Sequence, residues 1–124
     1  MQYTIDVDDE FLLVKAWGRE EDRPPSDLCA AILNESRRLE RERILIELDQ
    51  KAPLSAANQF QLVTRLPGLG LAPGQRIALV HRTPEMHEAN QFINLIAENR
   101  SLQVRNFQGV ETAKDWLREE AAAA

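Results

Sequence analysis

The alternation of apolar and polar positions at the start of the chain predicts two strands joined by a tight turn. Apolar residues dominate Phe11–Trp17, and they follow the acidic turn Asp8–Glu10, which suits a β-hairpin with Gln2–Val7 as its first strand. Gly18 ends the second strand, and Pro24-Pro25 excludes regular strand pairing in the charged stretch that follows. The chain is therefore predicted to begin with a hairpin.

Beyond the hairpin, helical and strand periodicities follow one another at short spacing. Apolar residues recur every three to four positions in the helical segments and every second position in the strands, as at Ile44, Ile46 and Leu48. In the second helix, Phe60 and Val63 are predicted to face inward. The predicted elements are, in order, a helix from Pro25 or Ser26 to about Arg41, a strand at Ile44–Leu48, a helix from about Ser55 to Leu66, a strand at Arg76–Val80, a helix from Pro84 to about Arg100, a strand at Leu102–Phe107, and a short helix that holds Trp116 and Leu117.

This order of elements predicts the fold class. Strands separated by single helices become parallel neighbours joined by right-handed crossovers, and the hairpin adds an antiparallel edge. We therefore expect an α/β domain with a mixed five-stranded sheet, in which an N-terminal β-hairpin is followed by βαβαβα units. The length fits one domain over residues 1–120, with Ala121–Ala124 as a C-terminal tail.

Charge and composition exclude several classes of partner. A net charge of −5 and an isoelectric point near 5.1 argue against nucleic acid, because its binders usually carry a basic footprint. The single cysteine, Cys29, cannot form an internal disulfide, which fits a reducing compartment. No apolar run approaches the roughly 18 residues of a membrane span, and the first residues show neither a basic leader nor an apolar signal core. We therefore expect a cytoplasmic protein.

The chain carries no catalytic signature. It contains no Gly-x-Ser-x-Gly, Walker or HExxH motif, and no nucleophile paired with a base is visible. His81 and His87 are six positions apart, whereas metal ligands on one helix face are spaced by three or four. The two histidines are therefore predicted to be surface residues and not metal ligands. We expect no enzymatic activity, no cofactor and no metal.

A receiver-like phosphoacceptor domain is an alternative, with Asp49 as the acceptor. Such a domain needs its first acidic cluster to lead into a helix, but Phe11–Trp17 is predicted to be a strand. It also needs a lysine after its last strand, where this chain has Asn106-Phe107-Gln108. Both departures disfavour this alternative.

Four segments, taken in this order, carry a resemblance to a known superfamily: Arg43–Asp49, Leu66–Gly68, Arg76–Val80 and Gly109–Leu117. Together with the order of elements, they resemble the STAS-like domains, which are related to the anti-sigma-factor antagonists and to the cytoplasmic domains of sulfate transporters. The chain looks most like the small stand-alone bacterial proteins of that superfamily, which are sometimes grouped with the lipid-binding SEC14 fold. The resemblance implies a non-enzymatic signalling or protein-interaction module.

The resemblance also implies where a partner binds. In the antagonists, the loop after the strand equivalent to Ile44–Leu48 carries Asp-Ser-Ser/Thr-Gly, whose hydroxyl a partner kinase phosphorylates. Here the loop runs from Asp49 to Ser55 without the adjacent hydroxyl or the glycine, so we expect a module that lacks this phosphorylation motif. Ser55 is predicted to be a helix N-cap instead. The partner, a regulatory kinase or a sigma-factor regulator, is expected to bind at the following residues: Asp49, Lys51, Ser55 and Asn58.

The SEC14 side of the resemblance implies an alternative, a small protein that binds an apolar, lipid-like ligand. Trp17 stands at a strand end, and Leu69 and Leu71 lie in a Gly/Pro loop. These three side chains are candidates to line the mouth of an apolar pocket, while inward folding of the two leucines over the core is the structural alternative. The oligomeric state is left open, with a homodimer as one of the alternatives.

Overall fold

The computed structural model describes residues 2–18, 25–50, 52 and 54–119. The elements are, in order, β1 (Gln2–Val7), β2 (Leu12–Gly18), α1 (Pro25–Arg38), β3 (Arg43–Gln50), α2 (Ala56–Leu69), β4 (Arg76–His81), α3 (Pro84–Ala89), α4 (Phe92–Asn99), β5 (Val104–Phe107) and α5 (Val110–Arg118). The predicted class, α/β with a mixed five-stranded sheet, is confirmed. Residues 12–18 form a strand where a receiver domain needs a helix.

The strands lie in the sheet in the same order as in the chain, β1-β2-β3-β4-β5. β1 is antiparallel to β2, and every other neighbouring pair is parallel. Because each crossover leads to the adjacent strand with the same handedness, the intervening helices are placed on one face. There α1 packs against α2, and α2 packs against α4.

The main core lies between these helices and the sheet. It contains the inward-facing residues of the strands, among them Ile44 and Ile46, which confirms the two-residue period predicted for β3. Each fully buried aliphatic side chain of this kind contributes about 1.5–3 kcal/mol. The helices contribute the following core residues: Leu28, Ile32, Leu33, Val63, Leu66, Ile93, Ile96 and Ala97.

A second, smaller core lies on the opposite face, under α5 alone. Trp116 and Leu117 are buried there with Ala113, as predicted for the last helix. Their partners are Phe11, which precedes β2, and Leu45, Ala78 and Val80 of β3 and β4. Side chains alternate along each strand, so the residues further along β2, β3 and β4 on this face lie beyond α5. The last helix therefore covers only part of its face of the sheet.

Two predicted helices differ from the structure because polar side chains decide their geometry. The single helix expected from Pro84 to Arg100 is broken into α3 and α4 at Asn90, which is fully buried. Its amide donates to the Met86 carbonyl at 2.8 Å and accepts the Leu54 N–H at 3.3 Å. The side chain thus fastens the break to the loop before α2.

In α2 the inward position belongs to a glutamine and not to the predicted phenylalanine. Gln59 is buried and donates to the Leu54 and Ala89 carbonyls, at 2.9 and 3.0 Å. Phe60 is 45% exposed, with the Arg100 guanidinium 5.5 Å from its ring centroid. Val63 is buried as predicted.

Among the described residues, no helix has the length and apolar character needed to cross a membrane.

Candidate functional site

An open groove marks the end of the sheet where β2, β3 and β4 finish. α5 covers the earlier part of this face and leaves the strand ends free, in keeping with the rule that ligands of parallel sheets bind outside the carboxyl ends of the strands. The groove has a volume of about 340 Å³. Its lining residues are Lys15, Ala16, Trp17, Glu47, Leu48, Asp49, Val80 and Arg82.

Trp17 is the dominant apolar side chain of this groove. It is the last residue before Gly18 in β2, and its Cα atom pairs in register with that of Asp49 in β3. The indole is 40% exposed, which is a large exposed fraction for a tryptophan. The structure therefore brings together two residues that the sequence assigned to different kinds of site.

The charges of the groove alternate in sign. Arg82 pairs with Asp49 across 3.4 Å, and the Arg82 side chain is exposed whereas that of Asp49 is half-buried. Lys15 lies directly opposite Glu47 in the parallel register of β2 and β3. Among the described residues, neither Lys15 nor Glu47 forms an ion pair within 4 Å. The groove thus offers one paired cation and one cation that remains available to a ligand.

The start of α2 lies at the same end of the sheet as the groove. Ser55 is its N-cap, as predicted, and its hydroxyl oxygen accepts the Asn58 backbone N–H at 3.1 Å. Ser55 is exposed, and Asn58 is half-buried. Lys51, the fourth residue of the expected partner surface, lies outside the described residues.

Leu69 and Leu71 lie away from Trp17. Leu69 ends α2, and Leu71 precedes β4, so both are at the opposite end of the sheet from the groove. Leu71 is buried in the main core, and Leu69 packs against that core. They follow the inward-folding alternative, and the structure does not bring them to a common mouth with Trp17.

A buried polar cluster lies behind the groove, on the helix-bearing face of the sheet. It consists of His81 at the end of β4, Asn106 in β5, Asn90 between α3 and α4, and Gln59 in α2. All four side chains are at least 96% buried. The Asn106 amide donates to the Asn90 carbonyl at 2.7 Å, and its oxygen lies 2.7 Å from His81 Nε2. This cluster ties the strand ends to the starts of two helices.

The expectation that His81 is a surface residue is wrong. β4 extends to His81 and is buried throughout, so the imidazole points into the protein and is only 2% exposed. Because Asn106 Oδ1 accepts, the neutral imidazole carries its proton on Nε2, and Nδ1 has no described hydrogen-bond partner. Burial lowers the pKa of His81 below its usual range, and the nearby His87 lowers that pKa further, against the hydrogen bond to Asn106.

The sequence contains a weak signal for this cluster. Asn106 occupies an inward position in the alternation that begins at Val104, and His81 directly continues the apolar run of β4. A polar residue at a core position of a strand usually has buried hydrogen-bond partners. The identity of those partners depends on the packing of α2 and α3, which strand periodicity does not reveal.

The titratable groups of the described residues form no metal centre. The rings of His81 and His87 are 6.1 Å apart between centroids, but no group of three or more His, Cys, Asp or Glu there could hold a metal ion. Burial raises the pKa of the Cys29 thiol to about 12, so this side chain stays protonated at neutral pH.

Comparison of the chain with protein-family models, with curated proteins and with solved structures finds no match.

Proposed function

We propose that the protein is a non-enzymatic protein-interaction module of STAS-like type, whose partner binds in the groove at the ends of β2, β3 and β4. One observation carries this proposal. The exposed indole of Trp17 lies in a groove that α5 leaves open, beside a cation without an ion pair among the described residues.

The groove has the features of a protein-binding surface. Tryptophan and arginine are enriched among the residues that dominate the binding energy of protein interfaces, and Trp17 and Arg82 both line this groove. A partner that places an apolar side chain against Trp17 would remove the exposed area of the indole from water. A carboxylate of that partner would pair with Lys15.

The resemblance to the STAS-like superfamily supports the same end of the sheet. In the antagonists, the partner kinase acts on the loop that follows the strand equivalent to β3. In this chain Asp49 is the penultimate residue of β3 and lies in the groove, and the connection to α2 ends at the N-cap Ser55. A regulatory kinase or a sigma-factor regulator in the cytoplasm is therefore the class of partner that we propose. The apolar-ligand alternative has less support, because Leu69 and Leu71 pack on the core.

Affinity capture with matched variants tests the proposal. Wild-type protein, Trp17→Ala and Phe92→Ala are immobilised, and the proteins retained from a lysate of the producing cells are quantified by mass spectrometry. Phe92 is the matched control, because it is 38% exposed on α4, which lies on the face of the sheet opposite the groove. We expect a partner that wild type and Phe92→Ala retain and that Trp17→Ala loses at least about tenfold, as for a residue central to an interface.

The captured partner is then purified and titrated against the protein while tryptophan fluorescence is recorded. Binding should change the emission of wild type and leave that of Trp17→Phe unchanged, because Trp116 is buried under α5. Equal affinity of the partner for wild type, Trp17→Ala and Arg82→Glu would place its binding site elsewhere and contradict the proposal.

A further inference from the structure

The two edges of the sheet are built differently. At the β5 edge, the Asn106 backbone N–H donates to the Asn94 side-chain oxygen at 2.8 Å, so this edge group is already hydrogen-bonded to a residue of α4. At the other edge, β1 pairs with β2, and no other described strand lies beside it. β1 has six residues in regular register, without the proline, lysine or bulge that usually protects an edge strand. Within the described residues, this edge therefore has no strand partner.

The hairpin determines which residues of β1 form backbone hydrogen bonds to β2 and which point away from it. The Asp8 N–H donates to the Phe11 carbonyl at 3.1 Å, and these two residues continue the register in which Ile5 pairs with Val14. Hydrogen-bonded and non-hydrogen-bonded pairs alternate along an antiparallel ladder. The even-numbered residues of β1 therefore bond to β2, and the backbone groups of Ile5 and Val7 point to the open edge.

Two copies of β1 have complementary side chains when they pair through their outward-pointing backbone groups. If two β1 strands run antiparallel about a twofold axis at Ile5, then Ile5 faces Ile5, Tyr3 faces Val7, and Thr4 faces Asp6. Aromatic and β-branched side chains form favourable cross-strand pairs, and the threonine hydroxyl can donate to the aspartate. Val7 is 44% exposed in the single chain, so this pairing covers one of its exposed large apolar side chains.

We propose that β1 is a homodimerisation edge, at which β1 of a second copy pairs antiparallel and the two sheets become one continuous sheet of ten strands. Charge repulsion does not exclude a second copy in this register. Although each chain has a net charge of −5, Asp6 faces Thr4 of the other copy and no like charges stand directly opposite one another.

Sedimentation equilibrium tests the dimer. Wild type should approach twice the chain mass of 14.1 kDa with increasing concentration. Val7→Lys should raise the dimer dissociation constant about tenfold or more, because the dimer contains the Tyr3–Val7 pair twice. Leu95→Lys is the matched control, since Leu95 is 53% exposed on α4 and far from β1, and it should dimerise like wild type. Circular dichroism melting confirms that each variant is folded.

Disulfide crosslinking tests the register independently of the Val7 variant. In a Cys29→Ser background, Ile5→Cys places two thiols on facing residues, whose Cα atoms are about 5.5 Å apart in such a pair and can be bridged. Thr4→Cys is offset by two residues from its symmetry mate and should not crosslink. A wild-type protein that stays monomeric up to its solubility limit, or crosslinking through Thr4→Cys and not through Ile5→Cys, would overturn the proposal.

Discussion

His81 donates its Nε2 proton to the Asn106 side-chain oxygen across 2.7 Å, and both side chains are buried at the ends of adjacent strands. The second ring nitrogen of His81 has no described acceptor, so a proton there would create an unsatisfied buried donor. The neutral form of the imidazole therefore belongs to the folded state.

This arrangement predicts that stability falls in mild acid. The folded-state pKa of His81 is lowered, chiefly by burial, whereas in the unfolded chain it stays near 6.5. Between these two pKa values the unfolded state binds more protons than the folded state, so the free energy of unfolding rises with pH across that window. The stability that neutral His81 contributes is lost as the pH falls through the same window. Urea unfolding at about pH 7.5 and about pH 5.5 measures the difference.

The variant His81→Gln isolates this effect. Glutamine can still donate to Asn106 but does not titrate, so the loss of stability between the two pH values should shrink. The comparison variant is His87→Gln, which removes only the smallest of the causes that shift the pKa of His81 and should reduce the pH dependence less than His81→Gln does. An unchanged pH dependence in His81→Gln would assign the effect to other groups.

The cap of α2 predicts how Ser55 variants behave. Ser55→Ala should lower the free energy of unfolding by about 0.5–2 kcal/mol, because the Asn58 N–H loses its acceptor. Ser55→Asp should keep most of the stability, since aspartate caps well and its charge favours a helix N-terminus. Urea unfolding of both variants measures the effect, and a Ser55→Asp variant as unstable as Ser55→Ala would contradict the capping role.

Truncation of the two tryptophans should destabilise the protein by different amounts. Trp116 is 7% exposed between α5 and the sheet, so Trp116→Ala should cost about 3–5 kcal/mol. Trp17 is 40% exposed in the groove, and Trp17→Ala should cost clearly less. Paired urea unfolding curves compare the two variants. A loss below about 1 kcal/mol in Trp116→Ala would show that α5 is only loosely docked.

The ion pair of the groove should contribute little to stability. Arg82 and Asp49 are 3.4 Å apart, with side chains 72% and 43% exposed, and exposed pairs of this kind contribute about 0–1 kcal/mol. A double-mutant cycle of Arg82→Ala and Asp49→Ala in urea measures the coupling. A coupling well above about 1 kcal/mol would show that the pair is a structural element of the strand ends.

The strands and the last helix could be predicted from the sequence because their signals are local. The period of two at Ile44 and Ile46 and the acidic turn before β2 each specify an element without reference to the rest of the chain. The helical spacing of Ala113, Trp116 and Leu117 does the same for α5.

The errors concern side chains whose positions depend on distant partners. Asn90 breaks a helix because its side-chain amide is hydrogen-bonded to Leu54. Gln59, and not Phe60, takes the buried position in α2 because its amide donates to two backbone carbonyls there. The same distinction holds for the site. The sequence indicates Asp49 and Trp17 separately, but their adjacency depends on the register of β2 with β3, which the sequence does not display.

The position of β1 has a consequence for how the groove would meet the proposed partner. In the proposed dimer, a twofold axis perpendicular to the sheet passes between the two β1 strands, so both grooves open on the same face. Five strand spacings separate the two copies of β3, and the reversed strand direction places each groove two to three residues along β1 from the axis, so the grooves lie roughly 30 Å apart. A partner that presents two matching segments at that distance would bind both grooves at once, and avidity would then strengthen a contact that is weak at each groove alone.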